Sequence, residues 1–119
     1  MNYAWLDEYC LSKRGATKDF KVEWDATRYL VGGKMFALLG DDRAGKAIVT
    51  LKLAPEEGKA LRGRFKDITA GYYMNKEHWN SVYLDSEVPE DILREMIDKS
   101  HAIVFASLTK KAQTQIAQN

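Results

Sequence analysis

The chain has 119 residues, enough for one domain and too few for two. Apolar residues make up 45% and charged residues 29%, the balance of a globular protein that can bury a core without covalent staples. A net charge of +1 excludes the strongly basic composition that announces a nucleic-acid binder on its own. The only cysteine, Cys10, excludes an internal disulfide and points to a reducing, cytoplasmic setting, and it sits in an apolar helical pattern with no neighbouring histidine to activate it. Asp7 and Glu8 interrupt the one apolar stretch near the start, so no secretory signal is visible. No apolar run approaches membrane-spanning length.

In chain order, Trp5, Leu6, Tyr9 and Cys10 recur at helical spacing and predict a helix over Asn2–Leu11. Lys13 and Arg14 suit its negative end, and Gly15 can take the left-handed conformation that stops it. Phe20, Val22 and Trp24 then alternate with Lys21 and Glu23, which predicts a strand. Tyr29–Val31 and Met35–Leu39 read as a second strand or a pair broken at Gly32-Gly33, and Ala47–Leu53 is the clearest strand. Pro55, Glu56 and Glu57 open a helix, kept short by Gly58 and Gly63. Tyr72–Met74 and Trp79–Leu84 read as extended around a turn at Asn75-Lys76, with Trp79 expected to be largely buried. Val88-Pro89-Glu90 begins a long helix whose apolar stripe runs from Ile92 to Leu108. Residues 110–119 form a polar tail expected to fray. The pattern is a single α+β domain of two layers, a curved antiparallel sheet packed by helices in the order α-β(3)-α-β(2)-α.

The segment Gly40-Asp-Asp-Arg-Ala-Gly45-Lys46 matches most of a phosphate-binding P-loop. It lacks the following helix and the Ser or Thr that phosphate and Mg²⁺ require, so it predicts a hairpin turn and no bound nucleotide. His78 and His101 are the only histidines, and no spacing typical of a zinc site is present. No acid–base or nucleophile constellation stands out, so the sequence predicts neither an enzyme nor a metal or cofactor site.

Charge is unevenly distributed. Asp85–Asp98 holds six acids against one base, Arg94, whereas Lys59, Arg62, Arg64 and Lys66 lie in a stretch free of acids. Downstream, Tyr72, Tyr73, His78 and Trp79 sit beside Asn75 and Lys76. Aromatic faces stack on bases, and Lys and Asn meet phosphates or base edges. The candidate nucleic-acid contacts are therefore Lys59, Arg62, Arg64, Lys66, Tyr72, Asn75 and Lys76. The same residues also fit a hairpin with core aromatics and a helix end whose dipole favours positive charge.

Tyr9-Cys-Leu-Ser12, Gly15-Ala16, Val31-Gly-Gly-Lys-Met-Phe-Ala-Leu38, Leu51-Lys-Leu53 and Pro55-Glu56 resemble the bacterial MmcQ/YjbR family, as does Val88-Pro89. The most specific match is Gly71-Tyr-Tyr-Met-Asn-Lys-Glu-His-Trp79, and the likeness runs from about Trp5 to Lys111. The resemblance implies a fold like that of type III secretion chaperones. It also implies a role without a defined biochemical activity, with DNA binding through a double-wing arrangement proposed for members. This chain has Ala70 where the family suggests proline, and Tyr73 where members often carry histidine. Two partner classes remain open: DNA, and a protein segment held in a chaperone-like manner on an exposed apolar patch.

Overall fold

The computed structural model describes residues 4–71 and 75–118. Helix α1 (Ala4–Leu11) is followed by four strands, β1 (Ala16–Lys21), β2 (Ala26–Val31), β3 (Lys34–Asp41) and β4 (Ala47–Lys52). Helix α2 (Pro55–Arg64), strands β5 (Ile68–Ala70) and β6 (Trp79–Tyr83), and helices α3 (Glu90–Ala106) and α4 (Lys110–Ala117) complete the order. Gly15 ends α1 at φ +72°, and a Cβ there would lie 2.6 Å from Cγ2 of Ile116, so both conformation and space demand glycine. The six strands form one antiparallel sheet in the order β1-β2-β3-β4-β6-β5. The α+β class stands, with four strands instead of three ahead of α2, because Gly32-Gly33 separates two full strands.

Alternation gives the sheet two unlike faces. Tyr29, Ala37 and Leu51 align in one cross-strand row, and Leu39, Val49, Val82 and Ile68 in another. Leu6 and Cys10 of α1 and Leu93, Met96, Ile97 and Val104 of α3 join these rows in one buried core. Each fully buried aliphatic side chain contributes about 1.5–3 kcal/mol, so α3 holds the layers together. The other face carries Arg28, Leu38, Ile48, Thr50 and Tyr83, with a buried Thr50–Ser81 hydrogen bond of 2.8 Å.

One irregularity shapes the core. The pairing of β2 with β3 shifts between Tyr29 and Leu30, leaving Phe36 as an extra residue on β3. This bulge turns both Phe36 and Ala37 inward. Ser100 of α3, also fully buried, repairs the ladder: its Oγ donates to the Phe36 carbonyl at 2.6 Å and accepts from the Lys52 N–H at 2.8 Å.

Four expectations are corrected. β1 stops at Lys21, and Val22–Trp24 forms a 3₁₀ turn closed by Asp25 at φ +49°. The tail expected to fray is helix α4, because the Thr109 hydroxyl caps it by accepting from the Ala112 N–H, while Ala112 and Ile116 pack on the core. β5 was not anticipated. Trp79 is half-buried, on the sheet face away from α3, with Lys52 Nζ 5.9 Å from its ring centre. Tyr72–Met74, expected to be extended, lie outside the described residues. Among the described residues no helix is long and apolar enough to cross a membrane.

Candidate functional site

Among the described residues, the predicted nucleic-acid set lies on α2 and beyond its two ends. A ten-residue helix is about 15 Å long, and it stands between Lys66 and Lys76. Lys66 follows its C-terminal end, whereas Lys76 lies in the turn whose His78 carbonyl accepts from Leu53, just before its N-terminal end. Glu56 and Glu57 stand in the first turn of α2. Arg62 is committed to the fold: its Nη1 donates to Oδ1 of Asn80, which is fully buried and also donates to the His78 carbonyl at 3.3 Å. Gly58 makes room for this contact, since a Cβ there would lie 2.8 Å from either polar atom of the Asn80 carboxamide.

Asn75 also does structural work, accepting from the Glu77 N–H at 2.9 Å through its side chain and from the Trp79 N–H at 2.9 Å through its carbonyl. The Arg64 guanidinium stacks over Phe65, 5.0 Å from the ring centre. Lys59, Lys66 and Lys76 are exposed and form no ion pair among the described residues. Tyr72 lies outside the described residues.

The Gly40–Lys46 segment is the β3–β4 hairpin turn, and a strand follows it. Asp42 organises it, accepting from the Ala44 and Lys46 N–H groups and from the Tyr83 hydroxyl. These bonds hold its carboxyl below the usual range, the Lys46 N–H foremost. His101 packs edge-on against Phe36 while its Nε2 meets the Arg14 carbonyl at 2.8 Å. Among the described residues no group of three or more His, Cys, Asp or Glu side chains is placed to hold a metal ion.

A different surface stands out at the opposite edge of the sheet. Phe20, Val22 and Trp24 are 56%, 75% and 52% exposed, the large apolar side chains left in solvent among the described residues. β1 is the terminal strand, and among the described residues no backbone hydrogen bond reaches its outer rim from Thr17 to Lys21. Its charges are already matched from within. Lys18 Nζ donates to Asp7 of α1 at 2.9 Å, and Asp19 takes Nε and Nη2 of Arg28 on β2. Helix α1, about 12 Å long, reaches β1 at Lys18, and Phe20 lies beyond it. The sequence signal was the alternation at Phe20, Val22 and Trp24, which reads as a strand and does not by itself show the edge position or the short helix that leave these side chains exposed.

The YjbR family model matches residues 11–103. The chain belongs to the YjbR family. It is 32% identical to the uncharacterised protein YjbR of Escherichia coli over 118 residues, 99% of either chain. It is 34% identical to the uncharacterised protein YbdF of the same species over 97 residues, covering 82% of this chain and 77% of that one. Among solved structures it resembles a Deinococcus radiodurans protein with a DUF419 domain, at a TM-score of 0.85 and 28% identity over 94% of this chain and 85% of that one. A Pseudomonas syringae protein matches at a TM-score of 0.77 and 26% identity, over 87% and 99%. The family and fold are thereby fixed, and the biochemical role of this family stands undefined.

Proposed function

We propose that this YjbR-family domain is a protein-binding module whose docking surface is the β1 edge with the Phe20–Val22–Trp24 patch. The observation that carries this reading is the coincidence of an open strand edge with three large apolar side chains that the core does not use. An extended segment adding to β1 gains main-chain hydrogen bonds from the rim, and its side chains meet Phe20 on the strand and Val22 and Trp24 on the turn after it. Internal pairing of Lys18 and Asp19 removes the charge repulsion that often protects an edge.

The test uses short extended peptides with alternating apolar side chains. Saturable binding should protect β1 amides from hydrogen exchange, and Phe20→Ser, Val22→Ser and Trp24→Ser together should abolish it without lowering Tm. Absence of protection anywhere along β1 overturns the reading.

A second reading, DNA binding, is favoured by Lys59, Lys66 and Lys76, which have no ion-pair partner among the described residues, together with exposed Arg64. These four cations support a log–log salt slope of about −3.6 at most. Fluorescence anisotropy with duplex DNA should then show weak binding that vanishes by physiological salt. Indifference of that binding to Lys59→Glu with Lys66→Glu removes this reading.

A further inference from the structure

We infer that the occupant of the β1 edge is a second copy of this chain, paired antiparallel β1 to β1 about a two-fold axis through Phe20. This rests on the reading of β1 as a docking edge. A two-fold axis normal to a continuous sheet keeps each residue on its own face, so the allowed registers place one residue of β1 opposite itself. Centring on Lys18, Asp19 or Lys21 sets like charges face to face, which is destabilising. Centring on Ala16 or Thr17 brings the second copy towards Gly15, against which Ile116 of α4 packs, and leaves Phe20 uncovered.

The Phe20 register does the opposite. The two phenyl rings face each other on the helix side of the sheet, continuing the row that starts at Thr27. On the other face Asp19 meets Lys21 of the second copy, twice by symmetry. Because Arg28 already lies opposite Asp19 within each chain, every Asp19 then sits between two cations in one cross-strand row. Val22 and Trp24, in the 3₁₀ turn that follows β1, flank the paired residues, and Lys21 Nζ lies 5.7 Å from the Trp24 ring centre. Apolar exposure, an open rim and self-complementary charge therefore coincide at one register.

Sedimentation velocity of the full chain over a concentration series should show a reversible monomer–dimer equilibrium. D19K and K21D each place like charges opposite one another twice and should weaken self-association about tenfold or more. Mixed in equal amounts, the two variants should associate again, because the position-19 and position-21 charges are then opposite in both pairs. Circular dichroism melts confirm that each variant is folded. Should either fail to fold, F20E at the symmetry axis is the replacement, and it too should be monomeric. A wild-type chain that stays monomeric throughout, or a mixture that does not recover association, overturns the inference. If β1 is nevertheless protected by extended peptides, the docking edge stands and its occupant is a different protein.

Discussion

Replacing Ser100 by Ala isolates the contact that joins α3 to the sheet. The hydroxyl serves two backbone groups at once, the Phe36 carbonyl exposed by the bulge and the Lys52 N–H that would otherwise pair with it. Alanine removes one oxygen and creates almost no void, so packing changes little. Each buried backbone group left without a partner costs about 1–3 kcal/mol, and the better helix propensity of Ala returns about 0.5 kcal/mol. The net expectation is a loss of about 1.5–5.5 kcal/mol, and each kcal/mol lowers Tm by about 4 °C for a domain of this size. Urea titration followed by far-UV circular dichroism reads it as a lower midpoint at unchanged slope. A change within about 0.5 kcal/mol, the range of an ordinary surface substitution, would falsify the claim that Ser100 completes the ladder.

Other substitutions and conditions probe the remaining layers. Cys10 is fully buried, and burial, then the nearby Asp7 charge, pushes its thiol up to about 12, so Ellman's reagent should modify it only after unfolding. Rapid modification of the native chain would contradict this. Gly58→Ala should lower Tm although Ala is the better helix former by about 1 kcal/mol, because its Cβ would meet the Asn80 carboxamide at 2.8 Å; a raised Tm refutes the close approach. Hydrogen bonds from Lys18 and then Tyr29 hold the Asp7 carboxyl below its usual range. For Asp98 burial acts first and upward, but hydrogen bonds from Lys13 and Tyr9 outweigh it and leave that carboxyl lowered too. A depressed carboxylate contributes stability that is complete above its unfolded pKa of about 4 and disappears as pH falls through the folded value. The urea midpoint should therefore be flat near neutrality and drop below about pH 4, and a midpoint that rises on acidification would count against these pairs.

Much of the fold was legible because burial and period agree. Val49 and Leu51 alternate onto the core, α3 buries Leu93, Met96, Ile97 and Val104 along one stripe, and Gly15 stops α1 in the left-handed conformation that only its lack of a side chain makes easy. What escaped the sequence depends on contacts between distant residues. Nothing local marks Phe36 as a bulge or Ser100 as its partner 64 positions away. α4 is polar in composition, and Thr109, Ala112 and Ile116 become a cap and two anchors only once a core exists to receive them. The basic residues near α2 are neighbours in sequence, yet Lys66 and Lys76 lie at opposite ends of the helix, and the buried Asn80 claims Arg62. Phe20, Val22 and Trp24 alternate as a strand would, yet only Phe20 lies on the terminal strand and the other two on the 3₁₀ turn that ends it, all three exposed.

The central claim, that the β1 edge binds protein, is tested most directly by photo-crosslinking in cells. A benzophenone side chain at position 22 is compared with one at position 66 in the same background. Discrete protein adducts are expected from position 22, disappearing when Phe20 and Trp24 are replaced by Ser, and none of comparable yield from position 66. DNA adducts from position 66 with nothing from position 22 would contradict it.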